Sequence, residues 1–131
     1  MKSLSKKRPR KSLVKAADKA FSRYIVARDK RCVTCEHPKG SLQCGHLFSR
    51  VAYSTRWNVM NAACQCAGCN INHEGDALPL TDYMVATWGR DKIDELHALY
   101  HQPVKFKDYQ LEEVARYFNL KADELERLRL L

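Results

Sequence analysis

Two cysteine pairs, Cys32-Val-Thr-Cys35 and Cys66-Ala-Gly-Cys69, stand thirty residues apart. Two thiolates at this spacing wrap one side of an ion, and two such pairs complete a tetrahedral zinc site with Cys32, Cys35, Cys66 and Cys69 as ligands. The segment between them holds little apolar material for a core. Zinc would therefore supply much of its folding free energy, on the order of 10 kcal/mol in small zinc domains. Two further cysteines fall outside the pairs. Cys64 lies near enough to Cys66 to compete as a ligand, but it breaks the paired spacing, and both it and Cys44 read as small buried hydrophobes. Inside the segment stand Cys44-Gly45-His46, Arg56-Trp57-Asn58-Val59-Met60-Asn61 and Gln65-Cys66-Ala67-Gly68-Cys69-Asn70.

The elements that must position these residues come from the rest of the 131-residue chain. Residues 1–11 are basic and nearly devoid of apolar side chains, and read as a flexible arm. Residues 12–31 carry Leu13, Ala17, Phe21, Tyr24 and Ile25 at three- and four-residue steps, the pattern of a basic amphipathic helix. Residues 32–78 contain all six cysteines. Strands are expected around 41–48 and 51–54, then a short helix from about Gly68, with Trp57 as a core anchor. Residues 79–131 read as a helical segment, with helices near 80–88, 91–101, 108–119 and 122–130, broken at Gly89, Pro103 and Asn119. The whole is expected to form one compact α+β domain.

Charge is divided as sharply as cysteine. Residues 1–31 hold twelve Lys and Arg against Asp18 and Asp29, a net +10, whereas residues 32–131 sum to −2. Such asymmetry points to a polyanion partner, against the plainer reading of a solubilising terminus. No run approaches the ~18 apolar residues of a spanning helix, so no membrane role is expected. Reduced, clustered thiols suit a cytoplasmic protein.

The order CxxC…Gly45-His46…Asn61…CxxC-Asn70 resembles the HNH-type ββα-metal nucleases in their His-Asn-Asn variant. With the Arg56-Trp57…Asn61 stretch and Gly75-Asp76, the chain is similar to the NinG (Rap) recombination proteins of lambdoid phages through about residue 118. The resemblance implies a zinc-stabilised ββα-metal (HNH-like) core, flanked by an N-terminal helix and a C-terminal helical segment. It implies a metal-dependent endonuclease, a phosphodiester hydrolase cutting branched DNA such as Holliday junctions and D-loops. It makes His46 the general base, Asn70 a ligand of a catalytic Mg²⁺ or Mn²⁺, and Asn61 a brace of the loop between strand and helix. Imidazole, with an unperturbed pKa near 6.5, suits the base, and an amide oxygen is a hard ligand suited to those ions.

One position departs from the pattern. Many members carry an Asp or His ligand directly before the base, where this chain has Gly45. Strand alternation puts Gln43 on the face of Gly45, and helical spacing puts Glu74 on the face of Asn70, so each is a candidate replacement ligand. His73 is within reach of the same ion or of phosphate, but reads more simply as an exposed helical histidine. Asp76 reads as a cap or turn residue. Lys6, Lys7, Arg8, Arg10 and Lys11 would bind DNA phosphates without regard to sequence. Arg50 and Arg56 would either contact phosphate beside the scissile bond or form surface salt bridges. Two other functions stay open: a non-catalytic zinc-stabilised DNA-binding module, and a generic HNH nicking endonuclease without junction preference. Two cuts in a symmetrical junction make a homodimer possible.

Overall fold

A computed structural model describes residues 7–130. Its elements are helix α1 (Arg10–Asp29), strand β1 (Leu42–His46), the single-turn helix α2 (Tyr53–Arg56), a 3-10 turn (Val59–Asn61) and strand β2 (Ala62–Cys66). Helices α3 (Ala67–Asn72), α4 (Leu78–Trp88), α5 (Arg90–Tyr100) and α6 (Asp108–Leu128) complete the chain. This is a mixed architecture of helices around one two-stranded sheet.

Helix α1 begins at Arg10, inside the stretch expected to be an arm. It ends at Lys30, whose left-handed backbone (φ 68°) lets its N–H bond back to Val26. Leu13, Ala17, Phe21 and Ile25 form its buried stripe. That stripe packs on α6, which runs parallel to it: Arg10 meets Asp108 at one end, and Arg129 reaches the Ala27 carbonyl at the other. Helix α6 is continuous where the sequence suggests a break. Arg23 of α1 donates to the Asn119 side chain and to Glu126, so interhelix contacts carry the helix through Asn119.

The strands pair antiparallel, with Gln43 opposite Gln65, Cys44 opposite Cys64 and His46 opposite Ala62. The expected strand at 51–54 is absent, and Tyr53–Arg56 is helical instead. The second strand is Ala62-Ala63-Cys64-Gln65-Cys66, buried at every position. Ala62 belongs to the core between α1 and α6, and Ala63 to the core with α4 and α5. A strand covered on both sides at such close range needs small side chains, which carry little intrinsic strand signal. The end of α1 fastens this strand. Asp29 accepts the Cys64 N–H (2.9 Å), and Arg28 donates to the carbonyls of Val59 (3.0 Å) and Ala62 (2.8 Å).

No helix among the described residues is long and apolar enough to cross a membrane. Lys6, named above as a DNA contact, lies outside the described residues.

Candidate functional site

The first centre is the thiol cluster. The Sγ atoms of Cys32, Cys35, Cys66 and Cys69 all lie within 4.8 Å of one another. Cys35 stands 3.6 Å from Cys32 and 3.7 Å from Cys66. Zinc–sulfur bonds of about 2.3 Å in a tetrahedron place their sulfurs about 3.8 Å apart, so the four residues can hold a zinc ion. Cys69 Sγ and Cys66 Sγ sit at the start of α3, where Cys66 also accepts the Cys69 N–H. The cluster thus ties the loop after α1 to the junction of β2 and α3. Bonds from Cys69 to Cys35 push its pKa up to about 12. At Cys32 burial is outweighed by hydrogen bonds from Cys66 and Thr34, which draw it down to about 6. Cys44 and Cys64 lie outside the cluster, and burial pushes them up to about 12 and 11.

The second centre is an open groove of about 920 Å³, lined in part by Asp18 and Ser22 of α1, Gln43 and His46 of β1, Arg50, and Asn70 of α3. At its floor, His46 Nε2 faces the Arg56 carbonyl at 3.0 Å. A carbonyl only accepts, so Nε2 carries the proton and the neutral ring keeps its lone pair on Nδ1. Burial pulls the His46 pKa down to about 4, and the cationic Arg50 and Arg56 act the same way; the Arg56 carbonyl and Asp18 oppose them. His46 is therefore an unprotonated base at neutral pH.

Asp18 organises the loop that carries this carbonyl. Its carboxylate accepts Arg56 Nε (2.9 Å) and Nη2 (2.6 Å) and Trp57 Nε1 (3.0 Å). Arg50 Nη1 lies 3.6 Å away. Burial alone would raise the Asp18 pKa, but the Arg56 bonds and charge, with Trp57 and Arg50, hold it below the usual carboxylate value. Arg56 Nη1 donates to the Arg50 carbonyl (2.9 Å), so the guanidinium expected as a phosphate contact is committed to holding the loop. Arg50, more than half exposed, keeps most of its donors for a ligand. Buried Asn61 clamps the opposite turn: Oδ1 accepts the Phe48 N–H (2.8 Å), and Nδ2 donates to Phe48 and Thr55 carbonyls (3.1 and 3.0 Å).

Asn70 and Gln43 meet. Asn70 Nδ2 donates to Gln43 Oε1 (3.0 Å), which turns the ligand-capable oxygen of Gln43 toward Asn70 and leaves Asn70 Oδ1 as the hard donor. Glu74 lines the same groove but not on a helical face. Helix α3 stops at Asn72, and a tight turn follows, closed by Glu74 N–H to Ile71 and Gly75 N–H to Asn72. Asp76 accepts the Leu78 N–H (3.2 Å) at the start of α4. His73 is not the exposed residue its position suggested. It is half-buried, and its Nε2 bonds the Leu47 carbonyl at 3.1 Å.

Gly45 pairs with Ala63 and lies diagonally beside Gln65, whose side chain crowds it. A Cβ there would stand 2.1 Å from Gln65 Oε1, an oxygen that is buried without a partner. Any side chain at position 45 would force the Gln65 side chain to move.

The arm's charge is partly answered within the protein, since Lys7 and Arg10 both pair with Asp108. Exposed Lys11, Lys15 and Lys19 recur every four residues along α1, on the side that leads to Asp18 and Ser22 in the groove.

The model of a family described as Bacteriophage Lambda NinG protein matches residues 2–128 of this sequence. The chain belongs to the NinG family. Searches of curated proteins and of solved structures returned no match. NinG membership spans the thiol cluster and the groove together, including α1. Sequence reasoning about this NinG chain missed Asp18, Asp29 and Gln65. The signal available for the first two was that they are the only acids in a strongly basic segment.

Proposed function

We propose that this protein is a metal-dependent endonuclease of the HNH type, acting on branched DNA in phage recombination. The observation that carries the reading is His46: a half-buried imidazole, fixed through Nε2–H on a backbone carbonyl, unprotonated at neutral pH, in a groove beside a basic helix. Hydrolysis of a phosphodiester needs a base for water and positive charge for the phosphate. His46 Nδ1 accepts a proton as the water oxygen attacks phosphorus. The bond to the 3′-oxygen breaks, giving 5′-phosphate and 3′-hydroxyl ends. Arg50 neutralises a non-bridging phosphate oxygen. Asn70 Oδ1 would hold a Mg²⁺ or Mn²⁺ ion, with Gln43 orienting its amide; that ion supplies Lewis-acid stabilisation of the leaving oxygen.

The Lys11, Lys15 and Lys19 row offers the duplex arm a phosphate track into the groove. Contacts of that kind read backbone shape rather than base sequence, which suits a branched substrate. The four cysteines, loaded with zinc, would hold β2 and α3 in register beneath the groove.

The test is labelled four-way junction beside matching linear duplex, each with Mg²⁺, Mn²⁺ or EDTA. Metal-dependent cutting of the junction, lost in His46→Ala with zinc content and junction binding kept, is the expected result. Binding without cutting under any metal would make the protein a DNA-binding module. Equal cutting of both substrates would remove the junction preference.

A further inference from the structure

The groove contains a second histidine that the reading above does not use. His73 caps the C-terminal end of α3, one turn after Asn70, and lines the groove with Gln43, Asn70 and Glu74. Its Nε2 lies 3.1 Å from the Leu47 carbonyl, which can only accept, so Nε2 is the protonated nitrogen. Nδ1 of the neutral ring is then a lone-pair donor. That atom is buried and has no hydrogen-bond partner.

A buried acceptor without a partner costs free energy unless something occupies it. The arrangement here is the one that metal-binding histidines adopt, with one ring nitrogen donating to a carbonyl so that the other is presented to the ion. Apart from His46, which the reading above uses as the base, the rest of the groove lacks such a ligand. Position 45 carries no side chain, and the buried Gln65 occupies the space one would need. Gln43 turns its oxygen to Asn70, and Glu74 sits in an exposed turn. Asn70 alone is a poor cation site.

We propose that His73 Nδ1 is a ligand of the groove's divalent cation, taking the place of the side chain that Gly45 lacks. The proposal deepens the nuclease reading and rests on it for the role of the ion. An imidazole nitrogen beside an amide oxygen favours Mn²⁺, Co²⁺ or Zn²⁺ over Mg²⁺, which prefers oxygen ligands and retained water. The groove should therefore discriminate between Mn²⁺ and Mg²⁺, as an all-oxygen site would do less.

The experiment uses the full, zinc-loaded chain without DNA, and Mn²⁺ as probe. Mn²⁺ is the weakest binder in the divalent series and leaves zinc on the thiols undisturbed. In the wild type, substoichiometric Mn²⁺ should broaden the ring signals of His73 and His46 ahead of those of His37, His97 and His101. Free Mn²⁺ counted by electron paramagnetic resonance should show His73→Ala binding at least about tenfold more weakly. Zinc content and the melting curve without added Mn²⁺ should stay as in the wild type. Three results would overturn the proposal: no Mn²⁺ binding by the wild type at millimolar concentration, broadening of His46 without His73, or unchanged affinity in a folded His73→Ala. The last would leave Nδ1 with a buried water only. Should His73→Ala fail to fold, the wild-type broadening pattern decides alone. Mn²⁺ bound through His73 in a protein that cuts no DNA would sustain this proposal and reject the nuclease reading.

Discussion

The thiol cluster and the groove are neighbours built on opposite principles. Every ligand of the cluster comes from two short sequence pairs, and its four sulfurs already stand at the spacing a zinc ion requires. The groove draws on α1, β1, the loop at Arg50 and α3, and its polar atoms are held through intermediaries. His46 is oriented by a carbonyl, the carbonyl's residue by Asp18, and Asn70 by Gln43. A cluster of the first kind fixes local structure; one of the second kind depends on many separate contacts and leaves atoms free for a ligand. Its failures should accordingly be graded, while failure of the cluster should be total.

The largest effect is therefore expected at the cluster. Cys66→Ser removes one of the four sulfurs that could hold zinc, and the one that accepts the Cys69 N–H at the start of α3. Zinc sites of this type contribute on the order of 10 kcal/mol, comparable with the whole stability of a small domain. The variant should lose bound zinc and its cooperative melting transition together. Retained cooperative melting with unchanged zinc would show that the cluster does not differ in kind from the groove.

The groove's first test is pH. His46 has a folded pKa of about 4 against 6.5 when exposed. Between those values the unfolded chain takes up a proton that the folded chain refuses. This contribution is fully present above pH 6.5 and is lost as pH falls toward 4, about 3 kcal/mol in all. Acid also releases zinc, so the quantity to measure is the difference between wild type and His46→Gln by chemical denaturation at each pH. The wild type should lose more stability than the variant across that interval. If the protein cuts DNA as proposed, the same burial predicts cleavage that holds steady from pH 7.5 to 6; an acid limb centred on 6.5 would mean the ring is solvated.

That contrast also governs what could be read in the sequence. Cysteine spacing is a local signal, and the four ligands follow from it directly. The amphipathic helices were legible for the same reason, since Leu13, Ala17, Phe21 and Ile25 announce the buried stripe of α1. Strand β2 was not, because a strand pressed between two helical layers is made of Ala and Cys, while the more strand-like Val51-Ala52-Tyr53 leads into helix α2. The pattern singled out His46, Asn61 and Asn70, but it gave no sign of the partners that hold them. Asp18 lies 38 residues from Arg56, and no periodicity links them. The crowding of Gly45 by Gln65 was invisible until the register placed Gln65 opposite Gln43, diagonal to Gly45.

Asp18→Asn sharpens the comparison from the helix side. It removes the charge that pairs with a half-buried Arg56 and should cost about 2 kcal/mol, less than a fully buried pair because solvent reaches both partners. Because the Asp18 pKa is depressed, its contribution is present at neutral pH and disappears only in strong acid. The more telling readout is nitrogen-15 NMR of the His46 ring. With the Arg56 loop released, the ring should populate both tautomers, and cleavage should slow by about 10- to 100-fold with DNA affinity kept. Zinc content should not change. A single Nε2–H tautomer in a folded Asp18→Asn would show that the Arg56 carbonyl needs no support from α1.

The smallest effect belongs to the outer face of α1, and it separates DNA capture from the chemistry of the groove. Lys15 and Lys19 are exposed and make no ion pair among the described residues, whereas Lys7 and Arg10 are partly neutralised by Asp108. Stability should be indifferent to their loss. If the row carries phosphate, Lys15→Ala and Lys19→Ala should each weaken junction and duplex binding alike. Each should also flatten the slope of log affinity against log salt by about one, because one counterion fewer is released. Arg10→Ala should change the slope less, since Asp108 already answers that charge. Equal slopes for all three variants would mean that the internal ion pairs do not set which cations meet DNA, and that the basic excess acts as a diffuse field rather than a track into the groove.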